Sequence, residues 1–249
     1  VLFADLRQFT SLSERLRPEE VVEILNAYFD RMTRLIAERG GRIDKFIGDA
    51  IMADWGALDE AEEAETEAVR AALAMVSALA TFNEERGLSE RPLAMGIGIH
   101  ASDVVAGSIG STQKLEFTVI GDTVNVASRL EGLTKRYGAA IVASREVVAA
   151  VGEACVSRRL DRAIVAGRED ATELCEILSV DDPRAARIGE WERAIDLYFA
   201  RRFEDAASAF EEAARDLVDP AAQVQLERCR ELARNPPAEG WTGTARLTK

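Results

Sequence analysis

An α+β sandwich is the fold class this sequence predicts, and three observations carry the prediction. Apolar residues alternate with period two in short runs; they recur at three- and four-residue steps in longer ones; and the segments follow the order strand-helix-strand-strand-helix-strand. That order predicts a sheet with helices on one face. Val1 to Leu6 reads as a short buried strand, and Pro18 stands near the start of a long helix. Its Val21, Leu25, Tyr28, Met32, Leu35 and Ile36 form one stripe, and Gly40-Gly41 stops it. Two apolar runs follow, Ile43 to Ile47 and Ala50 to Trp55, joined by Gly48-Asp49, a tight hairpin signal. A second long helix is predicted from Glu62 to Glu85, with Val69, Leu73, Val76, Leu79 and Phe82 as its core face. The acids Asp59, Glu60, Glu62, Glu63, Glu65 and Glu67 crowd its start, where the helix dipole favours them. Leu93 to His100, Val104 to Ile109 and Leu115 to Ile120 read as strands, and Asp122 to Tyr137 as a helix. Ala140 to Leu178 reads as a strand, a short helix and a closing strand pair around Gly167.

The tail has a different pattern. From about Asp182 it is helical, with Trp191, Leu197, Tyr198, Phe203, Ala206 and Phe210 spaced as in one tetratricopeptide-like helical hairpin. A single such unit cannot bury its own face, so it should pack on the rest of the chain or on a partner. Pro236-Pro237 ends it, ahead of an irregular terminus that contains Trp241. The division expected is therefore residues 1–181 and 182–249.

The 249 residues carry 31 Lys plus Arg against 44 Asp plus Glu, a net charge of −13 with the one histidine neutral. Such a chain has no general attraction for nucleic acid or an anionic membrane, and any phosphate ligand must be held by local charge. His100 alone argues against a Ser-His-Asp triad and excludes zinc sites built from several histidines; on its alternating strand it reads as structural. Cys155, Cys175 and Cys229 are odd in number and widely spaced, as expected of reduced thiols in a cytoplasmic protein. No stretch approaches the roughly 20 apolar residues of a membrane span, and no signal peptide precedes Val1. The chain opens without Met, in the apolar run Val1-Leu2-Phe3-Ala4, as a fragment of a longer protein would. That leaves room upstream for a sensor domain or a membrane anchor.

With histidine scarce, metal chemistry falls to carboxylates. Asp5 sits inside an apolar strand, where it is costly unless paired, hydrogen-bonded or bound to metal. Asp49 lies in the hairpin turn, which by itself is ordinary turn chemistry. Together they would offer two hard oxygen donors of the kind Mg²⁺ prefers. Asp122 reads as a helix cap, and Asn125 and Arg129 are four apart on the helix that follows, an amide and a guanidinium on one face. That pair could orient a ribose and neutralise a phosphoryl group in flight, or be a solvated face.

Three segments in this order and spacing, Phe3-Ala4-Asp5-Leu6-Arg7-Gln8-Phe9-Thr10, Gly40-Gly41-Arg42-Ile43-Asp44-Lys45-Phe46-Ile47-Gly48-Asp49 and Phe117-Thr118-Val119-Ile120-Gly121-Asp122-Thr123-Val124-Asn125, together with Gly96-Ile97-Gly98-Ile99-His100, resemble the catalytic domain of class III nucleotidyl cyclases, specifically bacterial adenylate cyclases. The resemblance covers most of residues 1–180, and the helical tail is similar to the extension of sensor-linked bacterial cyclases. It implies a ferredoxin-like βαββαβ cyclase sandwich with added strands, and conversion of ATP to cyclic AMP and pyrophosphate with two Mg²⁺ or Mn²⁺ ions at a homodimer interface. Asp5, Asp49 and the Leu6 carbonyl match the metal ligands, and Phe9 and Thr10 the phosphate-binding turn. Lys45 and Thr118 match the purine-selecting pair, Lys45 facing adenine N1 and Thr118 the exocyclic amine. Asn125 matches the ribose-orienting residue and Arg129 the transition-state cation, these and the purine pair coming from the subunit opposite the metal aspartates.

The chain departs from the family pattern at several places. Gln8 stands where Gly is usual, Ala101-Ser102 replaces Thr-Gly, Thr118 replaces the Asp of many adenylate cyclases, and Ala166 replaces a triphosphate-binding Lys, with Arg168 nearby. Ala166 keeps open an inactive pseudo-cyclase serving as a dimerisation or nucleotide-sensing module. A diguanylate cyclase would need a Gly-Gly-Asp/Glu-Glu-Phe turn where this chain has Ile47-Gly48-Asp49-Ala50.

Overall fold

The computed structural model describes residues 1–58, 61–165 and 171–247. Ala166, Gly167, Arg168, Asp59 and Glu60, to which the sequence drew attention, lie outside the described residues. The chain runs β1 (Leu2–Arg7), α1 (Phe9–Ser13), α2 (Pro18–Glu38), β2 (Arg42–Ile47), β3 (Ala50–Asp54), α3 (Ala64–Glu85) and β4 (Ala94–Ile99). It continues through β5 (Val105–Gly110), β6 (Leu115–Ile120), α4 (Asp122–Tyr137), β7 (Ile141–Ser144), α5 (Arg145–Val151), β8 (Val156–Val165) and β9 (Ala171–Leu178). The tail adds α6 (Ile188–Phe199), α7 (Phe203–Ala213), α8 (Pro220–Arg234) and β10 (Thr244–Leu247).

The main sheet has the order β10-β8-β9-β7-β4-β1-β3-β2. Its β4-β1-β3-β2 part is antiparallel throughout, with α2 between β1 and β2 and α3 between β3 and β4, which is the ferredoxin-like sandwich expected. The β5–β6 hairpin stands apart as a two-stranded ribbon. Leu2, Ala4 and Leu6 of β1 and Met95, Ile97 and Ile99 of β4 point into one core with Met32, Ile36, Met75 and Phe82 of α2 and α3.

Helices cover both faces, not one. The alternate residues of β4 are Gly96 and Gly98, and α4 lies directly on them: a Cβ at Gly98 would sit 2.2 Å from both the Ala127 carbonyl oxygen and the Glu131 nitrogen. Period-two alternation announces two faces, but glycine on one of them hides that a helix is there. The core face of α3 is also turned from the expected one. Val69, Leu79 and Phe82 are buried as expected, but Ala68, Ala72 and Met75 are buried with them while Leu73 and Val76 pack only partly buried at the edge of the core, so the face is turned slightly toward the alanines.

The tail packs on this second face. Trp191, Ile195, Tyr198, Phe203 and Phe210 share a core with Val126, Leu130 and Tyr137 of α4 and Leu160 and Leu174 of the sheet. The α6–α7 hairpin is joined by a third helix, α8, and the terminus expected to be irregular forms β10, parallel to β8. Trp241 sets its ring against Tyr198 and Phe203, each with centroids 5.3 Å apart, which holds the last segment along the sheet edge. Two buried polar links fasten α8. Arg158 binds Glu176 at 2.6 Å and Asp219 at 2.5 Å, and Asp219 also caps α8. Asp161 accepts from Tyr137 at the end of α4 and from Arg228 of α8, both at 2.6 Å. His100 is buried with Nδ1 2.8 Å from Ser144 Oγ, and the three cysteines are free.

Candidate active site

Asp5 and Arg7 leave β1 on the face occupied by α4, and Asp49 sits in the β2–β3 turn, where Gly48 takes a left-handed φ of 65°. The pairing of β1 with β3 ends at Ala4 and Ile51, so Asp5 and Leu6 pair only with β4, and the turn carrying Asp49 closes beside them. Asp5 is pushed up to about 6, first by burial and then by the charge of Asp49 and a hydrogen bond with it. Glu131 of α4 completes the cluster. The Asp5 partner on β4 is Gly96, and a Cβ there would meet the Thr134 hydroxyl and lie 2.8 Å from Glu131 Oε1, so the missing side chain makes space that Thr134 and this carboxyl share. Burial, then the Asp5 charge, push Glu131 up to about 7.

Glu131 Oε1, Arg7 Nε and the Tyr28 hydroxyl are buried here without hydrogen-bond partners among the described residues. Two crowded carboxylates on an otherwise unsatisfied polar floor fit a divalent cation with hard oxygen ligands. No cluster of three or more His, Cys, Asp or Glu with metal-holding geometry is present among the described residues, and Glu131 acts on Asp5 and Asp49 through its charge.

Lys45 and Thr118 meet about one buried carboxylate, Asp44. Thr118 Oγ1 donates to Asp44 Oδ2 at 2.8 Å, and Lys45 Nζ is 3.5 Å from the same oxygen and 3.6 Å from Glu116. A bulge explains this. Ile43 pairs with Ala53 but Lys45 with Met52, so Asp44 is an extra residue in β2, and the break in alternation turns it toward β6 alongside Lys45. Sequence reading passed over Asp44 and Glu131, since a bulge erases the alternation that would locate one and the other acts across the chain on Asp5.

Phe9 and Thr10 are the first residues of α1, so their amides have no acceptor within the helix. The Phe9 ring is core and Thr10 is exposed. Gln8 before them takes the left-handed conformation, φ 58°, that glycine adopts without cost. Asn125 is exposed, Arg129 half-buried, and neither side chain is bonded or ion-paired among the described residues. At 100° per residue, a helix that turns Glu131 onto β4 turns Asn125 and Arg129 well away from it. The structure thus joins Asp5 with Asp49, and Lys45 with Thr118, but does not bring Asn125 and Arg129 onto the chain's own aspartates.

Residues 1–174 match the adenylate and guanylate cyclase catalytic domain, and the chain belongs to that family. It is 41% identical over 186 residues to an adenylate cyclase of Anabaena cylindrica, an alignment covering 71% of this chain and 36% of that one. It therefore spans about a third of that relative's length. Among solved structures it resembles the adenylyl cyclase CyaB from P. aeruginosa (TM-score 0.66, 26% identity, 73% of this chain and 93% of that one). It also resembles the guanylyl cyclase Cya2 (TM-score 0.64, 36% identity, 73% and 92%). No described helix is long and apolar enough to cross a membrane.

Proposed function

We propose that this chain is the catalytic domain of an adenylate cyclase, converting ATP to 3′,5′-cyclic AMP and pyrophosphate at a site shared between two copies of itself. The observation that carries this reading is the meeting of Asp5 and Asp49, two carboxylates from separate elements with no cation of the protein within ion-pair distance among the described residues. Two Mg²⁺ or Mn²⁺ ions held there by Asp5, Asp49 and the Leu6 carbonyl would supply Lewis acidity to the ribose 3′-hydroxyl and offset charge on the triphosphate. The amides of Phe9 and Thr10 hold the phosphates. Lys45 and Thr118 hold the adenine. Asn125 orients the ribose, and Arg129 offsets charge on the α-phosphate as the 3′-oxygen bonds to phosphorus and pyrophosphate leaves.

The orientation of α4 supports sharing between chains, since each helix turns Asn125 and Arg129 away from its own aspartates. A homodimer then has two equivalent sites. Residues 1–181 form the catalytic unit in this reading, and the tail braces α4; in a longer cytoplasmic protein the unit would answer to a sensor domain. Incubation with Mg²⁺ or Mn²⁺ and either ATP or GTP tests it: cyclic AMP from ATP is expected, and Asp49→Ala abolishes it. Asp5→Ala mixed with Arg129→Ala should recover activity that neither shows alone. Cyclic GMP as the main product would overturn the base assignment. No product from either nucleotide would select the pseudo-cyclase.

A further inference from the structure

Asp44 is a buried acid for which the reaction itself has no use. Its side chain is fully shielded, and its two oxygens have separate duties. Oδ1 accepts from Arg42 at 3.1 Å and from the Val119 amide at 3.3 Å; Oδ2 accepts from the Thr118 hydroxyl at 2.8 Å and faces Lys45 at 3.5 Å. A threonine hydroxyl has one proton, and this one is directed at a carboxylate, which can only accept. Its alternative, the Val119 carbonyl at 3.4 Å, is longer and competes poorly.

From this geometry, and resting on the cyclase reading above, we propose that Asp44 sets the choice of purine by fixing the direction of the Thr118 hydroxyl. With the proton committed to Asp44, Thr118 presents only lone pairs to a base. An exocyclic amine, as in adenine, donates to it; the carbonyl of guanine in the same place would meet acceptor against acceptor. Lys45 beside it is a pure donor, matched by the unprotonated ring nitrogen of adenine and opposed by the N–H of guanine. Asp44 does not touch the base, so it is a positioning residue, and threonine does the reading in the orientation the acid dictates.

The two oxygens make a sharp test possible. In Asp44→Asn the amide oxygen stays with Arg42 and the Val119 amide, both of which need an acceptor, so the NH₂ group takes the place of Oδ2. It then donates to Thr118, whose own proton is released toward the base. The variant should shift preference from ATP toward GTP by about tenfold, the worth of one hydrogen bond of roughly 1.4 kcal/mol. Asp44→Ala should flatten the preference without favouring GTP. In a Thr118→Val background Asp44→Asn should change the ratio less than twofold, because no hydroxyl is left to turn.

The ratio is to be measured twice, as kcat/KM for the two nucleotides and as their affinities in competition with a fluorescent nucleotide, with melting temperature checking that each variant folds. The binding ratio separates the two ideas: absence of turnover with an intact shift in affinity overturns the cyclase reading and keeps this one. An ATP-to-GTP ratio unchanged by Asp44→Asn in the folded protein, or an equal change in the Thr118→Val background, overturns the role of Asp44.

Discussion

Two clusters of buried charge lie on the same side of the sheet, and they are built by opposite rules. Where α8 meets the sheet, Arg158 is bonded to Glu176 and Asp219, and Arg184 reaches Glu176 at 3.0 Å, so the carboxylates have guanidinium donors in contact. At the end of β1, Asp5, Asp49 and Glu131 crowd together, Arg7 and Lys135 act on them only at a distance, and none of the three has an ion pair within 4 Å among the described residues. The first cluster is complete without a ligand. The second is unfinished business for the protein alone, and a surplus of unpaired carboxylate held at a cost in stability is what distinguishes a site from a joint.

The contrast can be broken at its strong end first. Arg158→Ala leaves the buried Asp219 and Glu176 with Arg184 as their one remaining guanidinium, at 4.0 and 3.0 Å, and should cost about 3 kcal/mol in urea unfolding; a loss below 1 kcal/mol would mean that the junction is not complete in the sense argued. Asp5→Asn should do the reverse, leaving the metal-free protein as stable or more so while removing its stabilisation by Mg²⁺. The sign follows from the raised Asp5: between its ordinary 3.8 and about 6 the folded protein binds more protons than the unfolded chain. Stability without metal therefore falls as pH rises through that window, and Mg²⁺ should oppose the fall. Melting curves against pH, with and without the cation, read this directly, and a slope that survives Asp5→Asn belongs to another group. Smallest is Gln8→Gly, which relieves a left-handed side-chain residue and should change stability by less than about 1 kcal/mol. Its measurement is a melting temperature equal to or slightly above that of the parent.

Much of this was readable in the chain. An acid within an apolar strand and an acid in a glycine turn are conspicuous because each violates its surroundings, and the long stripes of α2 and α4 have the helical period. What escaped reading lies in relations that no local pattern contains. Asp44 took on a role through a one-residue bulge, and Glu131 through its fit over Gly96. The second helical face was hidden for the same reason, and α3 showed its alanines to the sheet where its larger Leu73 and Val76 had been expected. The third tail helix and β10 follow from tertiary packing, with Trp241 anchored on Tyr198 and Phe203.

Gly98 has a consequence for precision. The atoms that would meet a side chain there are the backbone of α4 itself, at Ala127 and Glu131, and backbone has no rotamer by which to step aside. The height of α4 above the sheet is thus gauged by the absence of one methyl group, and Asn125 and Arg129 ride on that helix. A carbon atom added at Gly98, remote from the two side chains on which the proposed reaction relies, would lift them like a shim placed under a mounting, unchanged in kind but displaced in aim.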